Sequence, residues 1–463
     1  MRSDTPESLG ASLRGEVLQP GDAAYEEART LWNGTIDKKP ALIARCTGPA
    51  DVIEAVNFAR DHDLAMAVRG GGHSVAGLSS VDDGIMIDLS EMRAVHVEPE
   101  VRTARVQGGA VWGDVDRETQ VFGLATPGGI ISTTGVGGLM LGGGFGWLSR
   151  KYGLAADNLL SADVVLASGE LVRASMNENA DLFWGIRGGG GNFGIVTSFE
   201  FRLREVGPEV LYGPTVYRLE DATRVLRHYR EFIRSAPNEC SVYVDFLTAP
   251  PLPFLPRDVH GTTVLSLIQF FAGSVENGEK VLNPLRKFGN PVGDAVAPTP
   301  YTTAQSMVDS LYAKGAGNYW KSNNLTALTD EIIDTLARCA ENLPTPQSDI
   351  LIHHLGGAIN DLPPEATAYA HRDIEFVVTP GGRWEESAKS EESIAWVRAC
   401  HDALAEHVAA GVYVNFLSQG EEDRLRIAYG DNYERLQKVK TEYDPDNLFR
   451  VNHNIVPDSD WPR

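Results

Sequence analysis

Cysteine is scarce. Cys46, Cys240, Cys339 and Cys400 are the only four in 463 residues. None forms a C-x-x-C pair and their spacing fits no zinc pattern, so neither a disulfide framework nor a structural metal is expected, and reduced buried thiols are the default. Basic charge is also short: 41 Lys and Arg against 63 Asp and Glu give a net charge of −22. With no polybasic run, such a chain is repelled by nucleic acid and anionic membrane, and its charge reads as a solubility feature. No apolar stretch approaches the roughly 18 residues of a membrane span. Met1 to Glu16 is polar, without the apolar core of a secretory signal, so a cytoplasmic location is expected. The P-loop pattern G-x-x-x-x-G-K-[ST] is absent.

Glycine, by contrast, is abundant and clustered. Of 47 glycines, three groups stand out: Gly70–Gly72, Gly135 to Gly146, and Gly188–Gly194. Bare backbone lets a chain approach a ligand closely, and successive amides form nests for phosphate oxygens. One such run reads as a turn. Three beside strand-like segments suit a long, doubly phosphorylated cofactor better than a mononucleotide. Gly189-x-Gly191-x-x-Gly194 has the letters of a dinucleotide fingerprint, yet it precedes a strand instead of opening a helix.

The length implies two domains, or one large fold with an insertion. The first dozen residues read as disordered, and there is no internal repeat. Leu42–Cys46 reads as a strand, Pro49–His62 as a helix and Leu64–Val68 as a second strand that runs into Arg69-Gly-Gly-Gly-His73-Ser74. Strands are expected at Ile85–Asp88, Arg102–Gln107, Ala162–Ala167, Leu171–Ala174 and Ile195–Leu203, and helices at Ala110–Phe122 and Asp181–Arg187. After about Arg204 the glycine clusters stop and prolines gather at Pro250, Pro251, Pro253 and Pro256, which marks a second domain. Near the end, Tyr413–Phe416 reads as a strand and Glu421–Tyr443 as an amphipathic helix.

Two other site patterns compete. Gly72-His73-Ser74-Val75-Ala76 approaches the nucleophile elbow of a serine hydrolase, with Ser74 as nucleophile, but Ala76 stands where glycine is required and a loop follows. His371-Arg372-Asp373 has the letters of a kinase catalytic loop, but Val378 replaces the expected Asn, and the kinase is rejected.

The motifs as a set resemble a known family. Arg69–Ser74 followed by Asp83-Gly-Ile-Met-Ile-Asp88, then Gly135-Val-Gly-Gly138, Gly142-Gly-Gly-Phe-Gly146, Asp157-Asn158 and Asp181–Val196, is similar to the vanillyl-alcohol-oxidase type of FAD-binding domain. The tail, from Tyr429-Gly430 through Tyr443-Asp-Pro-x-Asn447 to Asn452-x-Asn454-Ile455, resembles the berberine-bridge-enzyme-like oxidases. The likeness covers nearly the whole chain and leans toward bacterial oxidases of hydroxynicotine, sugars and antibiotic precursors.

This resemblance implies an α+β fold: a two-part FAD-binding domain, residues 1–204 and 409–463, with an inserted α+β substrate domain at 205–408. It implies FAD bonded once, through His73, because the second linking position is Ile131 and not cysteine. Arg69 and the amides of Gly70, Gly71, Gly72 and Ser74 are expected at the pyrophosphate. Gly77, Gly128, Gly135, Gly137, Gly138, Gly142 and Asn158 are expected along the cofactor, Gly194, Ile195 and Val196 near its adenosine half, and Asn415 and Asn452 at its pocket. Thr134 borders the oxygen-reactive face and leaves access for O2. The implied reaction is hydride removal from a C–O or C–N bond of a sugar, hydroxylated amine or secondary metabolite, with peroxide as by-product. Tyr413 is the candidate base, against the alternative of a core tyrosine with a satisfied hydroxyl. Some family members use a second tyrosine where this chain has Phe145. His353 and His354, adjacent on a strand, should face opposite ways, one of them toward substrate. Tyr312, Tyr319, Trp320 and Phe376 are aromatic candidates for the pocket. A dehydrogenase of the same fold, a non-catalytic flavoprotein and the hydrolase remain as rivals. Oligomeric state is not legible.

Overall fold

The structure is a computed structural model that describes residues 5–408 and 411–458. What the sequence suggests for residues 1–4, 409, 410 and 459–463 lies outside the described residues.

The N-terminal part holds two main sheets and a short antiparallel pair, Leu124–Ala125 with Arg204–Glu205. In the first, the strands Leu42–Arg45, Ile85–Asp88 and Met66–Arg69 run parallel, with Glu16–Leu18 antiparallel on one edge. Parallel neighbours need a crossover, and the helix Pro49–Asp61 provides one. Proline suits its first turn, where no amide partner is lost, and Val52, Ala55, Val56 and Ala59 bury one face on the sheet. The second sheet is antiparallel, in the order Val95–Glu98, Thr103–Gln107, Ile195–Arg202, Leu159–Val165, Leu171–Ser175.

From Glu209 onward the chain builds a nine-stranded antiparallel sheet. Its path runs Gly293–Asp294, Glu209–Arg218, Thr263–Phe271, Cys240–Thr248, Asp349–His354, Phe376–Trp384, Gly317–Trp320, with Ala297–Pro300 also paired to Glu209–Arg218 and Asn323–Leu325 to Phe376–Trp384. One face is apolar. There Val242, Val244, Phe246, Ile350, Ile352 and Val378 pack on the helices Ala222–Ile233, Asp330–Ala340 and Ser390–Leu404. The other face looks toward the N-terminal part.

The C-terminal stretch returns across the molecule. Val412, Val414, Leu417, Tyr429 and Leu436 share a core with Trp112, Phe183 and Phe199, and Phe449 joins the core of the first sheet.

Three local expectations differ from the structure. Pro6–Ser12 is a helix, not disorder, because Leu9 finds a buried seat on the first sheet's core. Tyr413 precedes a 3-10 turn, Val414–Phe416, and is not in a strand. The helix expected over Glu421–Tyr443 is divided into Leu425–Tyr429 and Tyr433–Tyr443, with Gly430 between them at φ +51°, a conformation that cannot continue a helix. Among the described residues no helix is long and apolar enough to cross a membrane.

Candidate active site

A cavity of about 370 Å³ lies where the glycine loops, the C-terminal stretch and the face of the nine-stranded sheet opposite its helices meet. Its size falls in the roughly 300–1,000 Å³ range of small-molecule sites.

The glycine wall is set by one close approach. The loop that leaves the strand Met66–Arg69 touches the segment before the helix Val136–Leu141, backbone on backbone. A Cβ on Gly71 would stand 2.4 Å from the Gly135 amide nitrogen, and one on Gly135 would stand 2.3 Å from that of Gly71. Gly70, Gly71, Gly72, His73 and Ser74 line the cavity, as do Thr134, Gly135, Gly137 and Gly138. Gly194, Ile195 and Val196 line it as well. At Gly138 and Gly191 nothing lies within 4 Å of where a Cβ would be, so bare backbone faces open space.

His73 is fixed on both sides. Its ring stacks on Trp32 at 5.2 Å between centroids. Its Nε2 is 3.0 Å from Thr133 Oγ1, and its Nδ1 is 3.5 Å from Thr134 Oγ1. Burial pushes its pKa down to about 4, so the imidazole is neutral near pH 7.

Five residues expected at the cofactor do not line the cavity. Arg69 turns away: paired in register with Asp88, its guanidinium donates to the Ala28 carbonyl and lies 3.8 Å from Asp88 Oδ2. No lysine or arginine therefore lines the cavity among the described residues. Gly77 packs on Ile36, Gly128 on the Trp112 ring, and Gly142 makes room for the Asn415 side chain. Asn158 donates to the carbonyls of Tyr152 at 2.8 Å and Leu154 at 2.9 Å, which pins a turn. Glycine in a motif marks close packing, and the sequence does not say whether the close neighbour is a ligand or the chain itself. Ser74 Oγ accepts from the Leu78 amide at 3.1 Å, a turn-capping bond.

The C-terminal stretch supplies Tyr413, Asn415 and Asn452 to the same cavity. The Tyr413 hydroxyl accepts from the Gly144 amide at 3.1 Å and from Asn415 Nδ2 at 2.8 Å. Burial raises its pKa, and these two donors oppose that rise. Asn452 donates to the Gly191 carbonyl at 3.1 Å, while its buried Oδ1 has no protein partner.

The sheet wall carries side chains. Asp349, Leu351 and His353 alternate on one strand and line the cavity, with Thr379 and Gly381 from the neighbouring strand. His353 sits among Phe145, Tyr243 and Phe416, its Nδ1 is 3.4 Å from the Val377 carbonyl, and burial lowers its pKa to about 4. His354 faces the helices instead, its Nε2 accepting from Arg150 Nη1 at 3.1 Å. Of the aromatic candidates, Tyr312 and Trp320 reach the cavity. Tyr319 lies under Arg398, and Phe376 is in the core with His354. Sequence reasoning missed Trp32 and Asp349. An acid opening the apolar run Asp349-Ile-Leu-Ile was a signal for the second; a lone tryptophan offered none for the first.

Residues 40–175 match the family described as FAD binding domain, and residues 412–456 match the one described as berberine and berberine like. A FAD-linked oxidoreductase of Bacillus subtilis is 31% identical over 452 residues, covering 96% of this chain and 97% of that protein. The (R)-6-hydroxynicotine oxidase of Paenarthrobacter nicotinovorans is 31% identical, covering 96% of this chain and 98% of its own length. The crystal structure of 6-hydroxy-D-nicotine oxidase from Arthrobacter nicotinovorans superposes with a TM-score of 0.87 at 29% identity, covering 96% of this chain and 99% of that one.

Proposed function

The chain belongs to the berberine-bridge-enzyme-like family of FAD-linked oxidoreductases, and from that premise we propose an oxidase that removes a hydride from a C–O or C–N bond of a small organic molecule and passes the electrons to dioxygen, giving hydrogen peroxide. In this reading residues 1–204 and 409–463 form the FAD domain and 205–408 the substrate domain. Proteins similar to this chain are named for hydroxynicotine, chitooligosaccharide and tetrahydroberberine, so sugar, amine and secondary metabolite are all represented among them.

The observation that carries the reading is a single cavity holding bare glycine backbone, a neutral imidazole and a doubly hydrogen-bonded tyrosine. The residues fit FAD. Open backbone at Gly138 and Gly191 can reach phosphate oxygens, and the unpartnered Asn452 Oδ1 can accept from a cofactor donor. With Arg69 turned away, amides alone meet the diphosphate charge. When bound, FAD supplies the hydride acceptor and the route to dioxygen.

His73 is the attachment point: its neutral nitrogen is a competent nucleophile, and Thr133 and Trp32 hold the ring in place. Ile131, also on the cavity wall, offers no thiol, which leaves one link. Thr134 is small enough to leave a path for O2. In its deprotonated form Tyr413 takes the proton from the substrate O–H or N–H and becomes the neutral phenol, and the Gly144 amide and Asn415 favour the phenolate that this role requires.

The test is acid precipitation beside a peroxide assay. Flavin is expected in the wild-type pellet and, for His73→Ala, in the supernatant; flavin in both supernatants removes the covalent link. Tyr413→Phe is expected to lower kcat/KM by about 10²–10⁴ with flavin content unchanged. Unchanged kcat/KM removes Tyr413 as base. Substrate bleaching without peroxide makes the protein a dehydrogenase.

A further inference from the structure

The face of the nine-stranded sheet that looks into the cavity carries an acid pair that the hydride chemistry does not use. Asp245 sits opposite Leu351 in the ladder, and Asp349 opposite Leu247, so the two carboxyls are diagonal neighbours on one face. Asp349 Oδ2 accepts from the Tyr312 hydroxyl at 2.5 Å. Its Oδ1 stands beside Gly381, where a Cβ would lie 2.6 Å away. Thr379, 7% exposed and on the cavity wall, has a hydroxyl with no partner, and so has Asp245 Oδ1 at 4% exposure. Buried polar atoms without partners are rare in folded proteins, and the Thr379 hydroxyl, which lines the cavity, points to a ligand that completes it.

Aromatic rings frame the same end. Trp32 and Trp320 lie 5.6 Å apart, and the Trp32 indole donates to the Tyr312 carbonyl at 2.7 Å. The nearby cation is already engaged: Arg383 donates to Asn318 Oδ1 at 3.0 Å and to the Ala313 carbonyl. The chain as a whole carries −22 and attracts cations.

We infer that Asp349, backed by Asp245 and framed by Tyr312, Trp32 and Trp320, is a recognition subsite for a cationic nitrogen, so that the substrate is an amine-bearing molecule. The substrate assignment rests on the oxidase reading; the subsite itself rests on this wall alone. Arg383 offsets the charge of the acid pair in part and already lies over the Trp32 ring at 5.6 Å, which leaves the Asp349 carboxyl and the neighbouring Trp320 ring to match an ammonium group better than a hydroxyl. The groups facing Asp349 are Asp245, Tyr312, Arg383 and, two steps along its own strand face beyond Leu351, His353. Glu385 acts on it only through Arg383. Burial holds the Asp349 proton up to about pH 7, with the Tyr312 hydrogen bond and Arg383 opposing. An ammonium ligand must displace that proton, so its affinity rises with pH and levels off above about 7.

The test is a calorimetric titration of the flavin-loaded protein with benzylammonium and with benzyl alcohol, between pH 5 and 8. Benzylammonium is expected to bind at least about tenfold more tightly than the alcohol at pH 8. Its affinity should fall by up to about tenfold per pH unit below pH 7, with proton release on binding. Asp349→Asn should abolish the preference and leave alcohol binding in place. Gly381→Ala, which crowds Oδ1 without removing a charge, should weaken ammonium binding in the same direction. Equal affinities, a preference for the alcohol, no ammonium binding, or a preference that survives Asp349→Asn overturns the subsite. Because the titration does not read turnover, an ammonium preference without peroxide from any substrate sinks the oxidase and leaves the subsite standing.

Discussion

Where Gly71 meets Gly135, the cavity wall is backbone against backbone; where Gly381 meets Asp349, it is a carboxyl against a bare Cα. The first contact cannot yield, because neither chain has a side chain to move. The second can, because a carboxyl swings about its own bonds. The same residue type therefore does two kinds of work in one cavity. On the loop wall glycine sets a fixed backbone shape suited to a cofactor. On the sheet wall it leaves room for a side chain whose position and protonation respond to what binds.

Paired substitutions break the comparison most directly. Gly71→Ala is expected to cost about 3 kcal/mol of stability and most of the flavin, read by urea unfolding and by absorbance. Gly381→Ala should cost less than about 1 kcal/mol and leave the flavin bound. Equal losses in the two variants would erase the distinction between the walls.

The acid pair sharpens it through pH. In the folded protein Asp349 keeps its proton to about pH 7, against about 4 for an ordinary carboxyl. Between those values the folded state binds more protons than the unfolded one, so wild type loses stability as pH rises through that window. Asparagine does not titrate. The melting temperature of Asp349→Asn should therefore gain on wild type by roughly 2–4 °C between pH 4 and 8 and then level off, as scanning calorimetry will read. A gain on lowering the pH would reverse the argument.

The smallest effect expected is at Thr379. Its buried hydroxyl has no partner, so Thr379→Val should be neutral or stabilising by up to about 1 kcal/mol in urea unfolding, while ligand affinity falls. A clear destabilisation would mean that the hydroxyl is satisfied within the protein.

The limits of sequence reading follow the same division. Pro49–His62 was legible as a helix to within one residue of the observed Pro49–Asp61, because proline at its start and apolar spacing are local properties. The strand Met66–Arg69 and the loop after it were legible for the same reason, and Gly70–Ser74, Thr134, Gly135, Gly137, Gly138, Gly194–Val196, Tyr413, Asn415 and Asn452 all reach the cavity. Position in a motif did not reveal direction. Arg69 is beside the right loop and aims elsewhere, since Asp88 and the Ala28 carbonyl, 19 and 41 residues away in sequence, compete for it. Gly77, Gly128, Gly142 and Asn158 serve contacts within the chain. Leu9 makes a helix of a segment that reads as disorder because a core built from later strands receives it.

By itself, then, the sequence determined the glycine loops, the single histidine that one of them presents and the family-specific tail, because backbone freedom and spacing belong to a residue and its near neighbours. Only the tertiary structure decided that Asp245 and Asp349, 104 residues apart, share one face with Thr379, and that Trp32 and Trp320 meet on the wall of the same cavity as Asp349. Those neighbours are fixed by strand register and by what burial leaves unpaired, and neither quantity exists until the chain has folded.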